Sequence, residues 1–286
     1  MILRLLIRSN LWVGLAVAAF CVLSFSDPFA KESITYSLFL LFGTASAYSY
    51  MRWVKLFQGE DLGSLPKVPW SNNLFLAFFS SLVLGIISLC FLWEIASWPL
   101  LINLAPGLLI SFLYPLAFPY PNRHFSSLRA IPMLKLFLIA FAWSWLSFGV
   151  PYRMGESLTG TYFWLELVMR TFLVAGLTIP FDVRDLSIDA PKLKTLPQQI
   201  GIESALALAS LLLLLYQIWV LVAYFILWSI PMEHTLAWIF GLEIGQWIIK
   251  GVKKNQSDFY VSFWVESIPI ITLFIFLLSK LAISNF

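Results

Sequence analysis

Long apolar runs separated by short polar breaks recur along the whole chain, and they limit the folds that are open to it. A run of about 20 apolar residues can cross a membrane as a helix, because a helix satisfies its backbone polar groups without water. The chain is 60% hydrophobic and 17% aromatic, which is more apolar than the surface of a soluble domain tolerates. We therefore predict an all-α fold, a polytopic membrane helix bundle.

The breaks between the runs predict nine transmembrane helices with short loops. The first run follows Arg4 and Arg8, as in a signal peptide, but no small-residue cleavage site follows it, so it is kept as a span. The nine spans leave no room for a soluble domain, and residues 1–286 are expected to form a single transmembrane domain. The predicted spans are residues 11–26, 34–57, 73–93, 98–118, 132–150, 161–181, 202–228, 232–250 and 260–280.

Basic residues divide unevenly between the two ends of these spans, and cytoplasmic segments of membrane proteins collect Lys and Arg. With the N-terminus inside, the outer face receives only Lys31, Arg153 and Lys280. This split predicts a cytoplasmic N-terminus, an outer C-terminus and an integral protein of a bacterial inner membrane. Membrane lipids are expected partners, and nucleic acid is not. The inner segments collect Arg4, Arg8, Arg52, Lys55, Lys67, Arg123, Arg129, Lys135, Arg184, Lys192, Lys194, Lys250, Lys253 and Lys254.

The segment FDVRDLSIDAPKLKTLPQQIG, residues 181–201, concentrates charge directly after the sixth run. If the chain stays helical beyond Pro180, three carboxylates project from one face within about two turns. Arg184, nearby lysines or a divalent cation must offset their repulsion, and Mg²⁺ suits carboxylate and phosphate oxygens. An acidic cap at the membrane surface, paired with Lys192 and Lys194, is the alternative interpretation. The three carboxylates are Asp182, Asp185 and Asp189.

This segment resembles the second aspartate-rich motif of the UbiA superfamily of intramembrane prenyltransferases. In that family an aspartate-rich run containing Arg follows the sixth helix and leads, through a basic stretch, to a Thr-Leu-Pro-like segment and a Gly. The matching residues are Asp182, Arg184, Asp185, Asp189, Lys194, Thr195, Leu196, Pro197 and Gly201. The resemblance implies a Mg²⁺-bound isoprenoid diphosphate, whose C–O bond ionises when the metal neutralises the leaving group. The allylic cation then alkylates an acceptor.

The resemblance also implies roles for individual residues. Asp185 and Asp189 are the expected catalytic residues, and together with Asp182 they are the expected Mg²⁺ ligands. In LYPLAFPYPNRHFSSLRAIPMLK, Tyr114 and the basic residues after it resemble the family loop beside the diphosphate, although a solvated basic loop has the same composition. His124 is interpreted as a loop residue. The expected diphosphate-binding residues are Arg52, Tyr114, Arg123, Arg129, Lys192 and Lys194.

The first aspartate-rich motif of the family, Asn-x-x-x-Asp-x-x-x-Asp at the end of helix two, has no counterpart. The corresponding stretch, GTASAYSYMRWVKLFQG, residues 43–59, contains no acidic residue. Two outcomes stay open. Either Arg52 and Lys55 pair with the diphosphate directly, or catalysis is lost and the protein binds an isoprenoid or quinone-like lipid. For both residues, anchoring of a helix end by positive charge is the plainer alternative.

A few ionisable residues fall inside the predicted spans, where they are costly and are candidates for function. Glu166 and Arg170 are four residues apart, and pairing along one helix is the expected arrangement; Arg170 could also line a deeper cavity. Glu243 or Glu266 could face a cavity and take a proton from an acceptor, although interhelical hydrogen bonds explain such residues equally simply.

These observations predict a Mg²⁺-dependent prenyltransferase, an enzyme that transfers alkyl or aryl groups other than methyl. It would move a polyprenyl group from an isoprenoid diphosphate to an aromatic or other lipid-soluble acceptor, at a site facing the cytoplasm. The alternative is a catalytically inactive protein of the same fold that binds an isoprenoid or quinone-like lipid. A small-molecule transporter is disfavoured, because paired repeats and broken helices are missing from the sequence.

Overall fold

The computed structural model describes residues 2–57, 73–116, 134–155, 160–187, 194–227, 230–252 and 258–284, and these residues form helices and short connections without a strand. A helix lies in each of the nine apolar runs. The helices are α1 (Ile2–Arg8), α2 (Leu11–Val22), α3 (Lys31–Phe57), α4 (Leu74–Ile95), α5 (Trp98–Leu113), α6 (Leu134–Ser144), α7 (Val150–Gly155), α8 (Thr161–Arg184), α9 (Leu196–Ile200), α10 (Ile202–Phe225), α11 (Met232–Lys250), α12 (Asp258–Tyr260) and α13 (Glu266–Ser284).

Two of the long helical stretches contain a π turn. The turn Trp145–Gly149 joins α6 to α7, and the turn Val261–Val265 joins α12 to α13. A π turn inserts one residue into the helical repeat and rotates the side chains that follow, and such turns occur frequently at functional sites.

Several of these helices are long and apolar enough to cross a membrane. Within the described residues, 5 helical stretches qualify: α4, α6 with α7, α8, α10, and α12 with α13; a sixth is reached if the bent pair α1 and α2 is one span. Helix α5 is apolar but has only 16 residues, and α3 and α11 carry more charged and hydroxyl side chains. The protein is an integral membrane protein, while the crossing of all nine helices and their orientation stay predictions.

The helices follow one another around a ring. Helix α2 packs on α3 and α3 on α4; then α5 packs on α6, α6 on α8, α8 on α10, α10 on α11 and α11 on α13, which returns to α2. One apolar cluster joins α8, α10, α11 and α13, and a second joins α2, α3, α5 and the first π turn. Large apolar side chains such as Trp93 and Trp98, 85% and 77% exposed, cover the outside, as expected in an apolar medium.

Helix α1 is folded across one end of this ring. Its axis makes an angle of 78° with that of α2, and the bend falls at Asn10, whose φ of 61° lies in the left-handed region. Asn is one of the few residues that enter this region readily. The Asn10 amide donates to Ser49 Oγ on α3 at 3.1 Å, so the bend is tied to the end of α3.

The aspartate segment begins inside α8 and leaves it after one turn. Helix α8 continues through Pro180 to Arg184, and Asp185–Ser187 form a 3₁₀ turn. The chain thus stays helical beyond Pro180, as an α-helix to Arg184 and as a 3₁₀ turn to Ser187, while residues 188–193 lie outside the described part. The Thr-Leu-Pro segment starts α9, because Gln198 Oε1 accepts the Thr195 backbone N–H at 3.0 Å.

Candidate functional site

A cavity of about 830 Å³ lies inside the helical ring, at the end across which α1 folds. Its walls come from α1 to α6, α8, and the stretch from α12 to α13. This volume is in the range of small-molecule sites, about 300–1,000 Å³. Six basic and four acidic side chains line it, and the rest of its lining is mainly apolar. The charged residues are Arg4, Arg8, Arg52, Lys55, Lys135, Arg184, Asp182, Asp185, Asp258 and Glu266.

Asp182 lies on α8 and is one of the most deeply buried charged residues, with 3% of its surface exposed. Its Oδ1 accepts a hydrogen bond from Lys135 Nζ at 2.6 Å, which ties α8 to the start of α6. A close cation offsets part of the cost of burying a carboxylate. The lysine that compensates Asp182 thus comes from a helix 47 residues earlier in the chain.

Asp185, directly after α8, forms a two-bond ion pair with its neighbour. Arg184 Nε lies 2.7 Å from Asp185 Oδ1 and Nη2 lies 3.1 Å from Oδ2, the fork geometry that makes such pairs strong. Arg184 Nη1 also donates to Ser262 Oγ in the second π turn at 2.9 Å. Burial alone would raise the pKa of Asp185, but the charges of Arg184, Lys135 and Lys55 lower it below its ordinary value.

On the opposite wall the charged residues are all basic. Helix α1 contributes Arg4 and Arg8, and α3 contributes Arg52 and Lys55. Arg52 Nη1 donates to the backbone carbonyl of Arg8 at 3.2 Å, and Nη2 lies 3.5 Å from Asn10 Oδ1. Within the described ranges, none of the three arginines forms an ion pair with a carboxylate. Arg52 and Lys55 belong to residues 43–59, the stretch without an acidic residue.

Away from the charged residues the cavity is apolar. Aromatic side chains lie on several walls, and aliphatic residues fill the spaces between them. Aromatic faces can stabilise a nearby cation, and an apolar lining accommodates hydrocarbon. The apolar and aromatic lining includes Phe39, Leu40, Tyr48, Leu92, Leu108, Tyr114, Trp143, Leu146, Val174 and Phe181.

Of the two glutamates proposed as proton acceptors, only one faces the cavity. Glu266 follows the second π turn directly and lines the charged end. Its side-chain carboxylate accepts no hydrogen bond from any residue in the described ranges. The charged residue near this carboxylate is Arg184. Glu243 is exposed on the outside of α11, where it accepts a bond from Trp247 at 3.3 Å. Of the two glutamates, Glu266 therefore faces the cavity and Glu243 does not.

The predicted site residues are only partly brought together. Asp182, Asp185, Arg52 and Tyr114 line the cavity, and Tyr114 is buried at the end of α5. Lys194 is exposed and does not line it; its φ of 45° places it in the left-handed region. The remaining predicted residues, with His124, lie outside the described residues: Asp189, Arg123, Arg129 and Lys192.

The described residues do not by themselves provide a metal site. They contain no group of three or more His, Cys, Asp or Glu side chains arranged to hold an ion. Asp182 is bonded to Lys135 and Asp185 to Arg184, so two of the three expected Mg²⁺ ligands already have cationic partners. The third, Asp189, lies outside the described ranges. The predicted Mg²⁺ site is thus not seen in this part of the chain.

The pair inside α8 has a different role. Arg170 Nε lies 2.6 Å from Glu166 Oε1, as the spacing predicts, and Tyr216 and Trp219 of α10 also donate to the Glu166 carboxylate. Arg170 Nη1 donates to Ser24 Oγ at 2.6 Å. Arg170 is not among the residues that line the cavity, so the interpretation of this pair as a structural contact is confirmed.

Two sets of cavity residues were missed by the sequence analysis. Arg4 and Arg8 were assigned only to topology, and Lys135 only to a basic loop. A polar Asn10 between a basic segment and a strongly apolar run was the available signal that α1 and α2 are separate helices. Nothing in the sequence links Lys135 to Asp182, because the two are far apart in the chain.

Several solved structures share this arrangement of helices. No protein-family model and no curated protein matches the chain. The structure of a UbiA homologue from Archaeoglobus fulgidus bound to GPP and Mg²⁺ matches with a TM-score of 0.64 at 19% identity, over 96% of this chain and 97% of that chain. The same homologue bound to DMAPP and Mg²⁺ gives 0.62 at 19%, covering 96% of both chains.

A digeranylgeranylglyceryl phosphate synthase structure matches with a TM-score of 0.54 at 17% identity, over 96% of this chain and 95% of that chain. The matches extend over almost the whole of each chain, and they come from sequences that share less than a quarter of their residues with it. The protein has the fold of these UbiA-superfamily structures, which confirms the fold that the resemblance predicted.

Proposed function

We propose that the protein binds an isoprenoid diphosphate in the cavity and transfers its prenyl group to a lipid-soluble acceptor. The observation that carries this proposal is the shape of the cavity: about 830 Å³, charged at one end and mainly apolar elsewhere. An isoprenoid diphosphate is divided in the same way, into a multiply charged head and a hydrocarbon tail. Structures with this fold hold such molecules, GPP and DMAPP.

The net positive charge at the charged end of the cavity is opposite in sign to the charge of the diphosphate head group. The six basic and four acidic residues that line it leave a positive excess of two among the described residues. A diphosphate leaves carbon only when its developing charge is compensated. Lys135 and Arg184 stand on the α8 side and Arg8 and Arg52 on the α3 side, so a head group between them meets cations from two directions.

The apolar part suits the tail and the cation that forms. When the bond between the prenyl C1 and the diphosphate oxygen breaks, the electron pair leaves with the diphosphate, and positive charge develops on the allyl group. Tyr48 and Trp143 line this region, and aromatic side chains can stabilise such a charge. A new bond then forms between C1 and the acceptor, which releases a proton.

Glu266 is placed to take that proton. It lines the charged end of the cavity with no hydrogen-bond donor from the described residues, unlike Asp182 and Asp185. A carboxylate that accepts no hydrogen bond from the described residues has its oxygens available to accept a proton from a phenol or similar acceptor. The second π turn, Val261–Val265, sets its orientation directly.

The predicted roles of Asp185 and Asp189 as catalytic residues and Mg²⁺ ligands, with Asp182, remain part of this proposal, as do those of Arg123, Arg129, Lys192 and Lys194 in holding phosphate. Mg²⁺ stays a prediction. The transfer assay tests it by comparing magnesium with EDTA.

A second function, binding without turnover, is favoured by one specific observation. Asp182 and Asp185 are each held by a cation, and the first aspartate-rich motif is missing. Such a protein would bind and present an isoprenoid lipid. Saturable binding of a prenyl diphosphate with no release of pyrophosphate, for any acceptor, would support this function over transfer.

The experiment uses the full chain in phosphatidylcholine nanodiscs, with radiolabelled geranyl and geranylgeranyl diphosphates and an extract of membrane lipids and phenols as acceptors. We expect labelled product and released pyrophosphate. Asp185→Ala and Asp189→Ala should lower the transfer rate about 100-fold or more, the loss typical of one electrostatic group at a reacting centre. Transfer at the wild-type rate by both variants would contradict the assigned site.

A further inference from the structure

The wall formed by α1 and α3 differs from the rest of the charged end. Asp182 and Asp185 on the α8 side have cationic partners at 2.6 and 2.7 Å. Arg4, Arg8 and Arg52 on the α3 side have no carboxylate partner within the described part of the chain. Cations that face a cavity without a counter-charge attract an anion. The arrangement therefore indicates where the negative charge of a ligand lies.

Arg52 is held in place without being neutralised. A guanidinium has five N–H donors, and the side chain uses two of its nitrogens to bind the Arg8 carbonyl at 3.2 Å and Asn10 Oδ1 at 3.5 Å. Asn10 is in turn fixed to Ser49. Both contacts are to neutral acceptors, so the full positive charge and the remaining donors stay available to the cavity.

The same contacts position Arg8. Because the Arg8 carbonyl accepts from Arg52, the end of α1 is fastened to α3, and the bend of 78° at Asn10 lays α1 across the end of the ring. The Arg8 side chain then lines the cavity beside Arg52. Without this bend α1 would extend α2 away from the site. The left-handed Asn10 thus serves to bring a second guanidinium to this wall.

We propose, on the basis of the function proposed above, that Arg8 and Arg52 bind the diphosphate directly, in the place where the resembled family has its first set of metal-binding aspartates. Guanidinium groups bind phosphate oxygens in pairs, and they carry their charge without a bound metal. Arg4 and Lys55 line the same wall and add to its positive charge. The α3 side of the site therefore holds the head group independently of any divalent ion.

The test measures binding of radiolabelled geranyl diphosphate to the full chain in phosphatidylcholine nanodiscs, with Mg²⁺ and with EDTA. We expect binding to persist in EDTA, with a Kd within about tenfold of the magnesium value. Arg52→Gln and Arg8→Gln should each raise the Kd in EDTA by about 10- to 100-fold, as expected for the loss of charge-assisted hydrogen bonds. Inorganic pyrophosphate should compete for wild-type protein.

Matched variants separate charge from folding. Arg52→Lys keeps the charge but loses the paired geometry, and its Kd should fall between those of wild type and Arg52→Gln. Arg153→Gln removes an exposed arginine that does not line the cavity and should bind as wild type. Arg8→Gln keeps the backbone carbonyl that Arg52 uses, so this variant tests the side chain even if Arg52→Gln unfolds.

Three results would count against the proposal. Binding that disappears in EDTA, or that is unchanged in both glutamine variants, would overturn the direct role of the arginines and leave the proposed function standing. Competition by phosphatidylglycerol but not by pyrophosphate would identify the wall as a lipid headgroup site and overturn the proposal. Absence of geranyl diphosphate binding under both conditions would overturn this inference and the proposed function together.

Discussion

Charged residues lie at two levels of α8, and the protein holds them in different ways. In the first half of the helix, Glu166 and Arg170 are 5% and 4% exposed, and each has several partners. Glu166 accepts from Arg170, Tyr216 and Trp219, and Arg170 also donates to Ser24 and lies over the rings of Phe148 and Trp238. At the end of the helix, Asp182 and Asp185 face a cavity.

The two levels differ in whether their charged residues line the cavity. In the Glu166 cluster, defined as Glu166 and its direct partners, the carboxylate and the guanidinium neutralise each other, and neither residue lines the 830 Å³ cavity. At the end of α8, two ion pairs face a wall of arginines that have no carboxylate within the described residues. Both levels show ionisable residues inside a membrane protein, where either role is expected. The two levels differ in the charged partners of their residues and in whether those residues line the cavity.

The largest effect on stability is expected when the Glu166 cluster is broken. Glu166→Ala leaves Arg170 buried without its counter-charge, and removing one partner of a buried pair typically costs about 3–5 kcal/mol. We expect the free energy of unfolding, measured by denaturant titration in detergent micelles, to fall by this amount. A loss of less than about 1 kcal/mol would show that the cluster is not a main structural contact.

A substitution at the end of α8 is expected to act on the reaction instead. Asp185 is 27% exposed in its side chain, and Asp185→Asn keeps one oxygen that can accept from Arg184, so the free energy of unfolding should fall by only about 1–2 kcal/mol, less than in Glu166→Ala. The rate of prenyl transfer should nevertheless fall about 100-fold, or about 2.7 kcal/mol in activation free energy. Loss of stability together with unchanged specific activity would reverse the comparison between the two levels.

A smaller effect is expected for one hydrogen bond in the Glu166 cluster. Tyr216 OH donates to Glu166 Oε1 at 2.8 Å, and Tyr216→Phe removes this donor while Arg170 and Trp219 remain. The free energy of unfolding should fall by about 1 kcal/mol, the net value of a typical hydrogen bond. Tyr224→Phe on the same helix, where no hydrogen bond is lost among the described residues, should have almost no effect. Equal effects of the two changes would argue against the cluster.

The smallest effect is expected at the opposite end of the bundle. Lys31 and Glu94 lie 3.7 Å apart with side chains 80% and 49% exposed, and exposed pairs contribute about 0–1 kcal/mol. Glu94→Gln should leave both the unfolding free energy and prenyl transfer within that range. A large loss of activity in this variant would show that charge changes anywhere in the protein impair the assay.

The helices and the type of fold followed from the sequence, because apolar runs and motif spacing are local properties. A helix lies in each predicted run, and the i,i+4 pair of Glu166 and Arg170 formed as expected. The cationic partner of Asp182 could not be predicted from the sequence. Lys135 reaches Asp182 only because α6 packs on α8, a contact that no local pattern encodes.

The basic wall of the cavity was also only partly predictable. Arg52 was a candidate for diphosphate binding because the sequence resemblance puts the first motif at its position. Arg8 lines the cavity only because the chain bends at Asn10. A left-handed Asn is permitted by sequence but not dictated by it, since the bend depends on Ser49 and Arg52 of α3. The π turn that directly precedes Glu266 could not be predicted from the sequence either. It breaks the helical repeat, but the turn itself contains no Pro or Gly that would indicate the break.

An experimental structure with geranyl S-thiolodiphosphate, an analogue that resists cleavage, tests the central claim most directly. The account predicts that the diphosphate lies at the charged end of the cavity, between Arg8 and Arg52 on one side and the Asp182 and Asp185 ion pairs on the other. The prenyl chain should extend into the apolar part, beside Phe39. A ligand outside the cavity, or one with its hydrocarbon tail against the arginines, would contradict it.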